Sequence, residues 1–410
     1  MKHKEPPIMP VNLQAPTSLQ AVKGISLSAV EANIRYKNRN DLVLIEMVEG
    51  GTAAGVFTLN KFCAAPVIVC REHLVCNTPR YLLINAGNAN AGTGQKGLDN
   101  AKQTCSILAA MRNISAEEVL PFSTGVIGEQ LPTLPFTTHL PQAVEQLKED
   151  NWLLAAQGIM TTDTLAKGIS QQIEIDGKII TITGIAKGSG MIEPNMATLL
   201  AFIACDAKVE AQLLQQVLNE AVADSFNAIT VDADTSTNDS LMLLASAQSG
   251  VEITAANREL FQQAINMVCQ QLAQAIIRDA EGATKFVTIE VESAPDKHYA
   301  REIAYTVARS PLVKTALFAS DPNWGRLLAA IGRSQVEGLD VSKISLWLGE
   351  TQLLETGEPL ASYSEEQGQA EMDKEEITIR IALNVGDATA RIWTSDLSHE
   401  YVTINAEYRS

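Results

Sequence analysis

A chain of 410 residues is longer than one ordinary hydrophobic core requires, so two domains or two closely joined layers are expected. Its 46% hydrophobic and 19% charged residues describe a folded, water-soluble protein and exclude a disordered one. A net charge of −17 excludes nucleic acid as a partner, because a binder needs a cationic surface to displace the counterions of phosphates.

The first stretch, "MKHKEPPIMPVNLQAP", is polar and proline-rich without an apolar h-region, so no secretory signal is expected. No run of about eighteen apolar residues follows, which predicts no membrane span. "DLVLIEM" at 41–47 and "YLLINAG" at 81–87 are short apolar runs bounded by turn residues, the pattern of buried strands. "QQIEIDGKIITITG" alternates around Asp176-Gly177 and predicts a hairpin. After a glycine-rich turn at 187–190, the run 199–205 reads as another buried strand.

A helix is predicted after Asp206, where Leu213, Leu214, Val217, Leu218, Ala221 and Val222 recur at spacings of three and four. A second covers about 259–278, with Phe261, Ile265, Val268, Leu272 and Ile276 on one face. "KFVTIEVE" and "EEITIRIALN" return to the period of two that strands show. The polar stretch 362–374, "SYSEEQGQAEMDK", is expected to be an exposed loop. Helices and strands thus alternate without a regular βαβ rhythm, which favours layered sheets and helices, α/β or α+β, over a TIM barrel or a Rossmann fold.

The six cysteines, Cys63, Cys70, Cys76, Cys105, Cys205 and Cys269, form no CxxC pair and no set interleaved with histidine. They are expected to be reduced core residues of a cytoplasmic protein. A metal site among Cys63, Cys70, Cys76 and His73 would lack the usual zinc spacings, so none is expected. The five histidines are scattered and none stands beside a GxSxG elbow, so an acyl-transfer site would need another base.

Five segments are rich in small polar residues: "NAGNANAGTGQKG" (85–97), "FSTGVIGEQL" (122–131), "MTTDTLAKG" (160–168), "KGSGMIEPNMATLLAFIACDA" (187–207) and "FNAITVDADTSTNDS" (226–240). Each reads as a tight turn or as a wall of a ligand site. "KGSG" lacks the spacing of a phosphate loop, and "GTGQKG" has no convincing acidic partner for a ribose. Neither predicts a nucleotide cofactor.

Thr198 suits a chemistry that needs no histidine. Cutting the bond between Ala197 and Thr198 would give Thr198 a free α-amine beside its own hydroxyl. With a pKa of about 7.7–8.0 such an amine is partly neutral at physiological pH and can take the hydroxyl proton. The small Ala197 would leave its carbonyl open to that hydroxyl, and glycines at 188 and 190 would permit a strained turn. Alternatively, Thr198 simply begins a buried strand.

"KGSGMIEPNMATLLAFIACDA", with "STGVIGEQLP", "MTTDT", "FNAITVDADTSTNDS", "RDAEGATKF" and "SDPNWGR", resembles the ornithine acetyltransferase (glutamate N-acetyltransferase) family of arginine biosynthesis, in family order and over nearly the whole chain. The resemblance implies the layered fold of self-cleaving enzymes with an N-terminal threonine nucleophile. It implies an α chain of residues 1–197 and a β chain of 198–410, associated as α2β2 in the cytoplasm. Thr198 would be the nucleophile, and Thr124 and Gly125 the oxyanion hole. Substrate contacts would fall on Thr164, Lys187, Thr198, Glu281, Asn405 and Ser410.

The expected reaction moves an acetyl group from N-acetylornithine to glutamate by a ping-pong route with no cofactor, and acetyl-CoA is a possible further donor. The resemblance also leaves an aminopeptidase or amidohydrolase of the same architecture as an alternative, and an uncleaved binding protein as another. The sequence departs from the family's usual pattern at Ala166, where proline is usual and the turn after Thr164 loosens. It departs again at Ala233, where glycine is usual, so that the backbone there differs or never needed glycine.

Overall fold

The fold is taken from a computed structural model that describes residues 9–193 and 199–407. The chain divides into two compact units, residues 15–227 with 235–276, and residues 1–14 with 228–234 and 277–410.

The larger unit carries β1 (Ile25–Val30), β2 (Leu42–Met47), β3 (Thr52–Phe57), β4 (Tyr81–Asn88), β5 (Val119–Val126), β6 (Lys167–Ile175), β7 (Lys178–Lys187) and β8 (Leu200–Cys205). The two-residue β9 (Ile229–Thr230) belongs to the smaller unit, and β10 (Ser240–Ala245) completes the larger. One sheet runs β1-β2-β4-β5 and the other β3-β10-β8-β7-β6.

Alternation along β2 explains why this sheet is buried on both faces. Val43 and Ile45 point into a core shared with Phe202, Met242 and Leu244 of the second sheet, while Leu42 and Leu44 join Val69, Cys105, Leu108 and Phe136 on the other side. The second group comes from the helices α1 (Ala65–Cys76), α2 (Gly94–Arg112) and α3 (Leu134–Glu145). Phe122 and Phe202 meet edge to face across the two sheets, 5.1 Å between centroids at 84°.

The short α4 (Trp152–Gly158) buries Trp152, Ala155 and Ala156 in the core between the sheets. Outside the second sheet, α5 (Ala211–Ala223) lies against β3 and β10, and α6 (Arg258–Arg278) lies so close to β7 that a Cβ on Gly184 would stand 3.0 Å from Leu272. The result is a four-layered α/β/β/α arrangement, which agrees with the layered α/β expectation.

In the smaller unit a seven-stranded sheet runs β14-β13-β12-β15-β11-β16-β9. Its remaining strands are β11 (Phe286–Ala294), β12 (Ser345–Leu348), β13 (Thr351–Glu355), β14 (Glu358–Pro359), β15 (Glu376–Ala382) and β16 (Ala388–Ser395). The helix α7 (Lys297–Ala308) covers β11 and β16, and α8 (Pro311–Phe318), α9 (Trp324–Gly332), α10 (Glu365–Met372) and α11 (His399–Glu407) follow.

The predicted hairpin turns at Asp176 (φ 52°) and Gly177 (φ 73°), both left-handed as a two-residue turn of this kind requires. The predicted helices are α5 and α6, and the period-two runs are β11 and β15. The expected loop at 362–374 instead holds α10. Ser364 caps it, with Gln367 returning the bond from its side chain, so the helix rests on its capping box and on burial of Met372. All six cysteines are free, but Cys76 is exposed and Cys63 half-buried, so only four are core residues. Among the described residues no helix is long and apolar enough to cross a membrane.

Ala233 has φ +65°, the left-handed conformation that glycine would adopt at no cost. The backbone therefore keeps the angle although the glycine is gone. An Ala233→Gly variant should be more stable by about 1 kcal/mol, read as a raised denaturant midpoint with unchanged slope.

Candidate active site

The parallel pair β4 and β5 places Gly87 opposite Gly125, and the register shifts at Asn88. Both glycines have positive φ, +102° and +133°, and a Cβ on Gly125 would fall 2.2 Å from the carbonyl carbon of Gly87. A side chain at 125 would therefore run into the backbone of β4, and one at 87 into the side chains of Arg35 and Tyr36.

Buried amides then lock the strand ends. Ser123 Oγ donates to Asn85 Oδ1 (2.6 Å), and Asn85 Nδ2 donates to the Asn88 carbonyl (2.8 Å). Asn238 donates to the carbonyls of Ala89 (2.6 Å) and Ser123 (2.9 Å). Three of the segments rich in small polar residues are thereby joined into one structure.

Beside it ends β7. Its last residue, Lys187, donates from Nζ to Thr124 Oγ1 at 3.2 Å. The next residue, Gly188, donates its N–H to Asp163 Oδ1 at 2.7 Å. The same oxygen receives Lys167 Nζ at 2.7 Å, in an ion pair with both side chains fully buried, while Oδ2 receives the N–H of Thr161 at 3.0 Å. Burial opposes ionisation of Asp163, but the Lys167 and Lys187 charges and the Gly188 N–H outweigh it and hold the carboxyl far below its usual range. Thr164 follows Asp163 on this turn and is exposed.

Strand register supplies the third side. Lys187 pairs with Leu200, and Leu200 pairs with Ser240, so the ends of β7, β8 and β10 form one row. Asp239, just before Ser240, is buried, and burial raises its carboxyl well above the ordinary value against the Ser236 hydroxyl, the Lys187 charge and the Leu199 N–H. Among the described residues its Oδ2 has no hydrogen-bond partner. Two carboxyls therefore act on Lys187, one ionised and one held towards the neutral acid.

Ala197, Thr198 and Ser410 lie outside the described residues. The other expected contacts fall in two places. Thr124, Gly125, Lys187 and the Thr164 turn belong to the larger unit, and Glu281 and Asn405 to the smaller. There Asn405, exposed on α11, donates to Glu281 Oε2 at 2.8 Å. Tyr401 on the same helix donates to Asp232 Oδ2 at 3.0 Å.

The sequence model of the ArgJ family matches residues 26–410. The chain belongs to the ArgJ family. The arginine biosynthesis bifunctional protein ArgJ of Pseudomonas fluorescens (strain Pf0-1) is 54% identical over 406 residues, 98% of this chain and 100% of that protein. Its counterpart in Methylococcus capsulatus is 53% identical over 392 residues, 95% of this chain and 96% of that one. Among solved structures, the arginine biosynthesis bifunctional protein ArgJ of Bacillus halodurans is 36% identical, covering 50% of this chain and 97% of that one at a TM-score of 0.48.

Within this ArgJ chain the sequence singled out Thr124, Gly125 and Lys187, but not the carboxyls that surround the lysine. Asp163 and Asp239 both lie in segments marked as rich in small polar residues, and their burial was the missing signal. Lys187, expected as a substrate contact, has its ammonium on the Thr124 hydroxyl.

A methyl on Gly125 cannot be absorbed by a flexible neighbour, because what it meets is backbone. Gly125→Ala should cost at least about 2 kcal/mol of stability in a denaturant titration. Lys314 of the smaller unit provides a pH test. It is buried and donates to Thr394 Oγ1 (2.9 Å) and to the Ser395 carbonyl. Burial lowers its ammonium to about 8 from an ordinary 10.5, against the pull of Asp396 and Asp232. Below pH 8 folded and unfolded chains both hold the proton, and the burial cost stands in full. From pH 8 to 10.5 only the unfolded chain holds it, so stability rises with pH. Relative to Lys314→Met, the parent protein should gain stability over that window and over no lower one.

Proposed function

We propose that the chain is a glutamate N-acetyltransferase, which cuts itself between Ala197 and Thr198 and then moves an acetyl group from N-acetylornithine to glutamate through acetyl-Thr198. The observation that carries this reading is the Lys187–Thr124 bond at 3.2 Å. An ammonium can only donate, so it occupies a lone pair of Thr124 Oγ1 and leaves the hydroxyl proton for another acceptor. A hydroxyl so oriented, next to a glycine whose backbone is turned at φ +133°, is what a developing oxyanion requires.

In the first half-reaction the Thr198 amine takes the proton of its own hydroxyl, and the oxygen bonds to the acetyl carbon. The Thr124 hydroxyl and the Gly125 N–H hold the oxyanion. The carbon–nitrogen bond then breaks, and the amine returns its proton to the departing nitrogen of ornithine. In the second, the amine of glutamate attacks the ester, its proton passes to the Thr198 amine, and N-acetylglutamate leaves as the threonine oxygen regains a proton.

Sheet pairing supports the retention of both pieces after the cut. β7 lies before residue 197 and β8 after 198, and they pair over six residues from Ile182↔Cys205 to Lys187↔Leu200. β3 from the first piece pairs with β10 from the second. The proposal extends to an α2β2 assembly in the cytoplasm and to acetyl-CoA as a second acetyl donor.

Intact mass before and after brief exposure to N-acetylornithine should show two fragments and one acetyl group gained on residues 198–410. A single full-length mass with no gain would refute the reading. Release of acetate without need of glutamate would instead make the enzyme an amidohydrolase. Thr124→Ala should lower turnover about 10²–10³-fold, and normal turnover would remove Thr124 from the oxyanion hole.

A further inference from the structure

We propose that Asp163 is a positioning residue of the acetyl-transfer site, which aims the Lys187 ammonium at the Thr124 hydroxyl and so leaves that hydroxyl's proton for the oxyanion. The proposal rests on the reading of Thr124 as an oxyanion donor, and every group in it belongs to the larger unit.

Three observations lead here. Asp163 Oδ1 takes the Gly188 N–H at 2.7 Å, which fixes the backbone next to Lys187 where β7 ends. Its charge faces two cations, Lys167 at 2.7 Å and Lys187, so the buried pair is not self-contained. Lys187 in turn stands 3.2 Å from Thr124 Oγ1. A buried ion pair alone would be weak evidence of anything beyond folding, since such pairs are often replaceable by apolar side chains without loss. Here the carboxylate bonds the residue next to the lysine that orders the oxyanion donor, so removing it should disturb chemistry more than stability.

The titratable groups around Lys187 in this unit are Asp163 and Lys167 on one side and Asp239 on the other. Neutralising Asp163 removes an ionised partner of that ammonium and leaves Asp239, a carboxyl held towards its acid form, beside it.

The test is a double-mutant cycle. Asp163→Asn combined with Lys167→Met removes one negative and one positive buried charge together, so the fold is kept. Thr124→Ala is made in both backgrounds. Rates of acetyl-enzyme formation and of transfer to glutamate are measured per cleaved chain, counted by intact mass, so a variant that matures in part still reports. The double variant should lose about tenfold to a hundredfold in kcat with KM within threefold. The triple variant should fall no further than Thr124→Ala alone, because once that hydroxyl is gone its alignment no longer matters.

A double variant with parental kcat, or losses that multiply with those of Thr124→Ala, would overturn the proposal and leave the transferase reading intact. Asp163→Leu combined with Lys167→Met, an apolar replacement of the same pair, gives the same cycle if the first double variant does not accumulate. A parent protein that neither cleaves nor gains an acetyl group would sink both readings together.

Discussion

Hydrogen bonding between β7 and β8 sets where everything else in the larger unit must lie. The two strands are antiparallel neighbours, yet the chain between them does not form a tight hairpin. Twelve positions, 188–199, separate Lys187 from Leu200, although the two residues are directly paired. The pairing therefore holds both ends of that segment at one sheet edge, whatever happens to the bonds within it. Adding β10 in parallel beside β8 brings Asp239 to the same edge, and the facing sheet brings Thr124 within 3.2 Å of Lys187. A break in the segment would leave these ladders untouched, so the strands on either side of it would stay paired.

Charge is divided at that edge with some economy. Two carboxyls act on one ammonium, and their surroundings drive them in opposite directions. Asp163 has two cations and two backbone N–H groups, so it ionises despite burial. Asp239 has one cation beside its hydrogen bonds from Ser236 and Leu199, and there burial wins. Divergent environments of this kind are how a site assigns separate roles to chemically identical side chains. The Asp239 Oδ2 that lacks a partner among the described residues is costly to keep ionised in a buried place.

What could be read from the sequence was local. Short apolar runs located β2 and β4, alternation located β11 and β15, the Asp-Gly pair located the turn between β6 and β7, and helical spacing located α5 and α6. α10 was missed because its pattern carries little hydrophobic signal, even though Ser364 and Gln367 stand at capping-box spacing. Thr124, Gly125 and Lys187 could be named through family resemblance, but not their contact, since 63 positions separate Thr124 from Lys187 and only the meeting of two sheets joins them. Asp163 and Asp239 were invisible for a different reason. A carboxylate in a polar turn reads as solvated until burial is known.

Ala233 shows the limit of reading a departure from a family pattern as a change of structure. Its φ of +65° is the conformation for which glycine would be chosen, so the surrounding chain imposes the angle and the alanine bears the strain. The neighbours indicate why the angle is kept. Asp232, immediately before it, accepts from Tyr401 at 3.0 Å, and burial together with that carboxylate and Glu281 raises the tyrosine far above its ordinary range. A relaxed backbone at 233 would move Asp232 away from Tyr401, on the helix whose Asn405 holds Glu281. Strain of about 1 kcal/mol at one residue is small beside the loss of that hydrogen-bonded set. Gly125 is the opposite case, because a Cβ there would meet the backbone of Gly87 and Asn88 and could not be carried as strain.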